Sequence, residues 1–360
     1  MKKELGLFLL LVVLCLTVCG LELGKQLHDR HVAHQLNPNT ATEPLTMPRF
    51  LSQENLANMA NIIGLFGIFS IGTGLVIITG GIDLSVGSMC ALAGILLSIS
   101  LKEWHWAWPL VALFVVMIPM LLGGVHGVLI TRLRVQPFIV TLCGLLIYRG
   151  MARFIAKDST KGFAGASGFD TLRFLASGRI LHKEVTEQIN GMDRTRVIFE
   201  GIPMPFLILV ILAIIMWFVL HRSIYGRYLL AVGRNEEAAR FSGINTRLVI
   251  GSSYVVAGFL TGISAILFAF YAGSVAPSTH GNFYELYGIA AAVLGGCSLR
   301  GGEGSIIGIV IGTALLQILQ NLVNLLGIDS SLNFAVMGAV VLVGVLADQV
   351  FQKHSSRRAV

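Results

Sequence analysis

The stretch HRSIYGRYLLAVGRNEEAARFSGINTR, residues 221–247, is a polar island in an otherwise apolar chain. It carries five arginines and two glutamates, and it lies between two apolar stretches, 204–220 and 248–272. About 20 mostly apolar residues are enough for a helix to cross a bilayer. The island therefore predicts a loop in water between two membrane-spanning helices, and its arginines favour the cytoplasmic side.

A short helix is predicted inside this island. Asn235 is a good N-cap residue, and Glu236 and Glu237 would interact favourably with the positive end of the helix dipole. Gly243 can end the helix. Two turns of helix at a membrane surface form a suitable docking element, so the pattern indicates a membrane subunit driven by a soluble partner.

The composition places the whole chain in a membrane. Of its 360 residues, 55% are hydrophobic and 12% are charged, whereas soluble domains carry roughly 25% charged residues. The net charge of +7 comes from Lys and Arg scattered over loops, so membrane lipid rather than nucleic acid is the expected partner. The five cysteines lie in apolar runs, which argues against a disulfide framework or a zinc site.

Ten apolar segments are candidates for spanning the membrane. They are 5–23, 58–79, 86–101, 108–130, 137–155, 204–220, 248–272, 285–298, 305–324 and 333–347. We therefore expect an all-α fold, a polytopic membrane bundle of about ten transmembrane helices with a short cytoplasmic helix in the polar island. The segments 86–101 and 285–298 are short and rich in Gly and Ala, so either can be broken or re-entrant. Residues 5–23 are predicted to be a first transmembrane helix rather than a cleaved signal peptide, because no small-residue cleavage site follows them.

Two long loops, 24–57 and 156–203, are expected outside the cytoplasm. The short loops concentrate Lys and Arg on one side, and long loops cross a membrane largely regardless of charge. The first loop holds His28, His31 and His34, but it is rich in proline and a poor frame for a metal site, so a solvated loop is favoured. The second is large enough for a small cap. We expect transmembrane helices over 58–155, 204–220 and 248–347. This arrangement places the N-terminus and the tail 348–360 on the cytoplasmic side.

The segment TGGIDLSVGS, residues 79–88, interrupts the apolar pattern, and Asp83 is its only acid. Two interpretations are open. Asp83 caps a helix that starts at Leu84 at the membrane surface, or it lines the route of a polar solute together with Ser85 and Ser88. The segment GGEGSIIG, residues 301–308, partly repeats this pattern, with two Gly, an acid and a Ser before a predicted helix, and it adds Glu303 and Ser305 to the candidate pathway. One partial repeat of eight residues does not by itself establish an internal repeat.

Several helices carry small residues at a spacing of four. The pairs Gly123 and Gly127, and Gly258 and Gly262, are examples, and Gly304, Gly308 and Gly312 continue the pattern. Such faces allow helices to pack closely in lipid. Close packing explains most of them, and their density suggests a bundle that also moves.

Four segments carry a resemblance to a known family. In chain order they are 78–88 (ITGGIDLSVGS), 137–152 (PFIVTLCGLLIYRGMA), 226–244 (GRYLLAVGRNEEAARFSGI) and 292–312 (AVLGGCSLRGGEGSIIGIVIG). Together they resemble the permease subunits of ribose-type ABC sugar importers, a family that also includes permeases for xylose, galactose and the furanose-like autoinducer. The resemblance runs in order from about Phe50 to Asp348.

The resemblance implies a multi-pass protein of the bacterial inner membrane that forms the pathway for a monosaccharide-like solute. It implies that 221–247 is a coupling loop that contacts separate ATPase subunits. The other implied partners of the chain are an extracytoplasmic sugar-binding protein and a second permease copy or a paralogue. ATP and Mg would be bound by the ATPase, so no cofactor is expected in this chain. The implied coupling positions are Gly233, Asn235, Glu236, Glu237, Ala238, Ala239 and Gly243.

The chain departs from the family pattern in three places. Both long outside loops are longer than is usual in these permeases. His126, in a helix that faces the bundle, stands where Asn is common in the family. We therefore add His126 to the candidate pathway, because a change there can bear on the transported solute.

Other classes of function find less support in the sequence. The chain has no Walker A pattern, which argues against its being the ATPase, and no G-x-S-x-G or H-E-x-x-H motif that would indicate an enzyme. An ion-coupled secondary transporter would need coupling-ion sites, and Asp83 and Glu303 are the main candidates for such sites. Among importers, a branched-chain amino acid or a nucleoside is the alternative solute.

Overall fold

The computed structural model describes residues 2–36, 47–164, 167–189 and 192–329, followed only by 332, 335–336, 338–339 and 342. Within these residues the chain is a helical bundle with small strands at one end. The helices are α1 (Lys2–Leu36), α2 (Gln53–Ile78), α3 (Val86–Lys102), α4 (Trp108–Thr131), α5 (Pro137–Ala156), α6 (Asp170–Ser177), α7 (Met204–His221), α8 (Ile224–Arg234), α9 (Glu236–Phe241), α10 (Thr246–Ala272), α11 (Tyr284–Leu294) and α12 (Ile306–Leu325). The strands are β1 (Lys161–Gly162), β2 (Arg179–Ile180), β3 (Lys183–Ile189), β4 (Met192–Phe199), β5 (Ile202–Pro203) and β6 (Ser274–Val275).

Seven of the described helices are long and apolar enough to cross a membrane: α1, α2, α4, α5, α7, α10 and α12. Two shorter apolar helices, α3 and α11, lie where the sequence predicts short or broken segments. These seven long and two short helices correspond to nine of the ten expected segments. The tenth segment, 333–347, lies mostly outside the described residues. The expected all-α class, a polytopic helical membrane bundle, is confirmed.

The first helix is longer than its apolar stretch. The sequence predicts a helix over 5–23 and a loop from residue 24, but α1 continues to Leu36. The extension is rich in good helix formers such as Lys, Gln and Leu, and no proline interrupts it before Pro38. Apolar length marks the membrane-crossing part of a helix and not its end, so the loop prediction for 24–36 is corrected.

The bundle has two ends, which we name the α9 end and the hairpin end, the latter carrying β3 and β4. At the α9 end, the Ser305 hydroxyl donates to the Glu4 carboxylate of α1 (2.5 Å). At the hairpin end, Lys161 forms an ion pair with Glu103 after α3 (2.7 Å). Helices α2, α4 and α7 run toward the α9 end, and α3, α5, α10 and α12 run away from it.

The segment between α5 and α7 forms a small cap at the hairpin end. Strands β3 and β4 pair antiparallel, β2 pairs with β5, and β1 pairs with β6. Arg179 anchors the cap through an ion pair with Glu200 and a hydrogen bond to Asn58 of α2 (3.0 Å). The length of 156–203 predicts room for such a cap, but the sequence pattern does not predict its short strands.

Helices α4 and α10 pack closely through their glycines. A β-carbon added at Gly127 would lie 2.7 Å from the Gly251 Cα, and one added at Gly262 would lie 2.7 Å from the Val116 Cα. Both distances are shorter than van der Waals contact, so only glycine lets the backbones approach this closely. The close packing predicted from the spacing of small residues is present in this pair of helices.

The chain re-enters the bundle between α10 and α11. β6 pairs with β1 at the hairpin end, yet Gly281, six residues later, packs against the Gly87 backbone at the start of α3. Helix α11 then begins inside the bundle and spans 11 residues, about 16 Å at 1.5 Å per residue. It is a half-length helix, and an irregular backbone inside a membrane protein is tolerated where protein surrounds it.

Candidate functional site

Asp83 lies in the extended segment that joins α2 to α3, and we call residues 79–85 the linker. Its side chain is only 2% exposed, and Oδ1 accepts hydrogen bonds from the Ser85 backbone N–H (2.9 Å) and hydroxyl (2.6 Å). Helix α3 begins at Val86 rather than Leu84. The interpretation of Asp83 as a surface cap is therefore wrong, because the carboxylate is buried and its hydrogen bonds to Ser85 stabilise a local turn before the helix.

Three ring side chains from three helices lie around Asp83. His126 of α4 shares a hydrogen bond with the Tyr148 hydroxyl of α5 (Nε2 to Oη, 2.8 Å), and its ring packs edge-on against Tyr254 of α10, with centroids 6.3 Å apart. Asp83 is close enough to act electrostatically on all three. We call Asp83, His126, Tyr148 and Tyr254 the Asp83 cluster.

The Asp83 cluster has hydrogen-bonding capacity that the described residues do not use. His126 Nδ1 and Tyr254 Oη are buried and have no hydrogen-bond partner within the part of the chain that the structure describes. Most buried polar atoms in proteins have a partner, so the exceptions call for an explanation. A buried acid among such atoms inside a membrane bundle is the pattern of a functional site.

A second polar group holds the re-entrant segment. Arg149 of α5 donates to the backbone carbonyls of Pro277 (3.1 Å) and His280 (2.6 Å). Glu285, at the start of α11, is buried beside Gly87. By donating to these two carbonyl oxygens inside the bundle, Arg149 fixes the turn from which the half-length helix starts.

The remaining predicted pathway residues divide into two groups. The Ser88 hydroxyl donates to the Ser85 carbonyl (2.8 Å), so Ser85 and Ser88 lie with Asp83. Glu303 and Ser305 lie elsewhere, on a surface cavity at the α9 end that is also lined by Glu4, Trp217 and His221. The structure therefore brings Asp83, Ser85, Ser88 and His126 to one region and leaves Glu303 and Ser305 outside it.

The polar island folds into two consecutive helices, α8 and α9. The Ser223 hydroxyl caps α8 by accepting from the Gly226 N–H (3.1 Å). The Tyr225 hydroxyl shares a hydrogen bond with Ser252 of α10 (2.8 Å), and burial raises the pKa of this tyrosine, which keeps the hydroxyl protonated. Helix α8 is therefore fixed to the bundle and positions α9.

Helix α9 has the ends that the sequence predicts. Asn235 Oδ1 accepts from the Ala238 N–H (2.9 Å), which is an N-cap bond. Glu236 in the first turn accepts from the Thr246 hydroxyl (3.1 Å). Gly243 has a φ of 83°, a left-handed conformation that suits glycine just after a helix.

The coupling positions differ in their exposure. Glu237 and Ala238 point to solvent, and the neighbouring Phe241 is 83% exposed, although phenylalanine is normally buried. Ala239 is only 5% exposed and packs into the bundle, so it supports the helix and cannot offer its side chain to a partner. Gly233 packs against the end of α2.

Several residues of these sites are not predicted from the sequence. Tyr148 and Tyr254 lie among other apolar and aromatic residues of their helices and give no signal without the fold. Arg149 could have been found, because a charged residue within the apolar stretch 137–155 is rare in a membrane span. Phe241 could have been found as the one large apolar side chain in the short polar helix.

Comparisons with known proteins bear on these sites. A family model described as "Branched-chain amino acid transport system / permease component" matches residues 55–345. The chain belongs to this permease family. It is 36% identical over 303 residues to the ribose import permease protein of Escherichia coli strain K12, covering 84% of this chain and 87% of the relative.

Other permeases give similar matches. The chain is 34% identical over 307 residues to the ribose import permease protein of Haemophilus influenzae, covering 84% of this chain and 87% of the relative. It is 30% identical over 344 residues to the xylose transport system permease protein of E. coli strain K12, covering 85% of this chain and 87% of the relative. No solved structure gives a significant match. The permease family match includes the linker, the Asp83 cluster, α8 and α9.

Proposed function

We propose that this permease forms the membrane pathway of an ATP-driven importer for a monosaccharide-like solute. The observation that carries the proposal is the combination of near-full-length similarity to ribose and xylose permeases with an exposed, capped helix, α9. The Asp83 cluster and the serines beside it form the candidate pathway. The chain itself performs no catalysis and binds no cofactor; ATP and Mg are bound by the partner.

The ATPase docks at α9. Phe241 offers an apolar contact that is 83% exposed, and Ala238 leaves room for a partner surface to approach the helix closely. Exposed aromatic residues of this kind are typical anchors of protein interfaces. By the positive-inside rule the α9 end is cytoplasmic, with both chain termini, and the protein lies in the bacterial inner membrane.

The hairpin end faces the other compartment and receives a sugar-binding protein. A second copy of the chain, or a paralogue, completes the pathway between two bundles. A monosaccharide is preferred over a branched-chain amino acid or a nucleoside because the relatives at 30–36% identity are ribose and xylose permeases.

Reconstitution in proteoliposomes tests this function. The permease is combined with its cognate ATPase and binding protein, and uptake of radiolabelled ribose, xylose, leucine and adenosine is measured with ATP inside the vesicles. We expect ATP-dependent uptake of a pentose or another monosaccharide. Uptake driven by an ion gradient without ATP would contradict the importer and favour a secondary transporter. ATP-dependent uptake of leucine or adenosine alone would contradict the solute class.

A further inference from the structure

Three glycine-containing segments meet at the α9 end of the bundle. They are the turn after α2 at Gly80, the turn before α12 at Gly301 and Gly302, and Gly233 near the end of α8. Gly80, Gly301 and Gly302 have φ values of 83°, 84° and 75°, which suit glycine. We call these residues the glycine junction.

The glycine junction is a contact of backbone with backbone. The Gly302 N–H donates to the carbonyl of Ile78, the last residue of α2 (2.8 Å). A β-carbon at Gly233 would overlap that same carbonyl oxygen and would lie 2.5 Å from the Gly302 nitrogen. A β-carbon at Gly301 would lie 2.7 Å from the Gly233 carbonyl oxygen. No flexible side chain separates the three segments.

The glycine junction connects the helix α9 to the linker that carries Asp83. Asn235, the cap of α9, follows Gly233 by two residues, and Gly80 begins the chain that leads to Asp83. The linker also touches two walls of the bundle. A β-carbon at Gly81 would overlap the Tyr254 hydroxyl, and the Thr141 hydroxyl of α5 donates to the Ile82 carbonyl (3.2 Å).

We propose that Gly233 is a positioning residue that transmits movement of α9 to the linker and hence to the Asp83 cluster. The inference rests on the proposed function, because α9 moves only if an ATPase drives it. Packed backbones are close to incompressible, so a displacement at Gly233 is passed to Ile78 and Gly80 instead of being absorbed by side-chain rotation. Gly233 is therefore a coupling position through an internal contact and does not itself touch the ATPase.

The test compares Gly233→Ala with Gly251→Ala in the assembled complex of permease and ATPase. Gly251 is a matched control, because a β-carbon there would lie 3.8 Å from its nearest neighbour, an ordinary contact. A reporter cysteine replaces the half-buried Leu84 of the linker, in a background without the five native cysteines. The rate at which a small methanethiosulfonate reagent labels Leu84→Cys is measured with ADP and with ATP plus vanadate.

We expect the labelling rate to depend on the nucleotide in the parent and in Gly251→Ala. In Gly233→Ala the ATPase should bind with unchanged Kd, the two labelling rates should become equal, and ribose uptake should fall by roughly threefold to thirtyfold, the range that coupling mutations produce. Equal behaviour of the two variants would overturn the inference. A parent that does not bind the ATPase would instead overturn the proposed function.

A second measurement does not depend on the folding of Gly233→Ala. Spin labels are placed at Arg234→Cys and Arg300→Cys, two exposed positions on either side of the glycine junction, in a complex whose permease lacks the five native cysteines but keeps Gly233. Continuous-wave EPR then reports their separation with ADP and with ATP plus vanadate. We expect the same dipolar broadening in both states, while labelling of Leu84→Cys changes. A separation that changes with nucleotide would show that the glycine junction yields, and the inference would be wrong.

Discussion

At the scale of single residues, Asp83 is noticeable in the sequence as the only acid in the segment 79–88. Its carboxylate accepts hydrogen bonds from the Ser85 N–H and hydroxyl, and its charge acts on rings from α4, α5 and α10. The local hydrogen bonds need only an oxygen acceptor at this position, whereas action on the rings of the Asp83 cluster needs a charge. These two contributions can be separated by substitution.

We expect Asp83→Asn to lower uptake about tenfold while the permease still inserts and assembles. The asparagine oxygen can still accept from Ser85, so thermal stability in detergent should be close to that of the parent. Asp83→Ala loses the hydrogen bonds as well and should cost about 1–3 kcal/mol of stability. Uptake and melting temperature are measured for both variants. Normal uptake by Asp83→Asn would show that the charge has no role in transport.

Tyr254 gives a complementary test. Its buried hydroxyl has no partner among the described residues, so Tyr254→Phe removes a polar atom that stabilises nothing there. The melting temperature should stay the same or rise, because an unsatisfied buried group costs about 1–3 kcal/mol. If the hydroxyl serves the pathway, uptake falls although the protein is at least as stable. A variant that loses stability and uptake together would indicate a structural role only.

At the scale of elements, α9 is a short helix whose two faces have different surroundings. Ala239 and the Thr246 bond hold it on the bundle, and Ala238 and Phe241 face solvent. The sequence gives two alanines in succession, and only the packing distinguishes them. Identical substitutions at the two positions therefore test docking and folding separately.

Ala238→Arg should leave expression and membrane insertion intact but abolish recovery of the ATPase in a pull-down, because a long charged side chain blocks the docking surface. On a face that only contacts solvent, the change would alter stability by less than about 0.5 kcal/mol. Ala239→Arg should instead destabilise the permease, since a buried charge has no partner there. Glu237→Gln is the control and should bind the ATPase normally. Undiminished recovery with Ala238→Arg would contradict the docking helix.

We expect the hairpin end to respond to pH through His182. His182 Nε2 lies 2.7 Å from the Glu184 carboxylate and Nδ1 lies 3.1 Å from the Glu200 carbonyl oxygen, and these bonds raise the pKa of the imidazole. Both nitrogens face acceptors, so only the protonated ring can donate to both. The stabilisation is complete below the unfolded pKa of about 6.5 and is lost as pH rises through the higher folded value.

Hydrogen exchange checks this behaviour. After correction for intrinsic exchange rates, amides of 179–184 and 199–203 should be better protected at pH 5.5 than at pH 8.5. The difference should disappear in His182→Gln, whose amide does not titrate. Stronger protection at the higher pH would contradict the assigned hydrogen bonds.

At the scale of the whole molecule, we expect the two ends of the bundle to belong to different compartments. Single cysteines at Glu184 and Glu237, in a background without native cysteines, are labelled in intact cells with a membrane-impermeant maleimide. Glu184→Cys should react at once, and Glu237→Cys should react only after permeabilisation, because arginine-rich short loops stay inside. Reaction of both positions from the same side would mean that α7 does not cross the membrane.

The sequence by itself determined the helical membrane class, the positions of nine described apolar helices and the ends of α9, because apolar length and capping are local properties. It did not determine where α1 ends, since good helix formers continue beyond the apolar stretch. Only the tertiary structure decided that Asp83 is buried beside His126, Tyr148 and Tyr254, that Glu303 and Ser305 lie elsewhere, and that Ala239 faces inward. These facts depend on contacts between residues far apart in the chain, which no local pattern records. The glycine junction has the same origin: the two turns at Gly80 and Gly301 and the helical Gly233 are far apart in sequence, and close backbone packing alone makes them one contact.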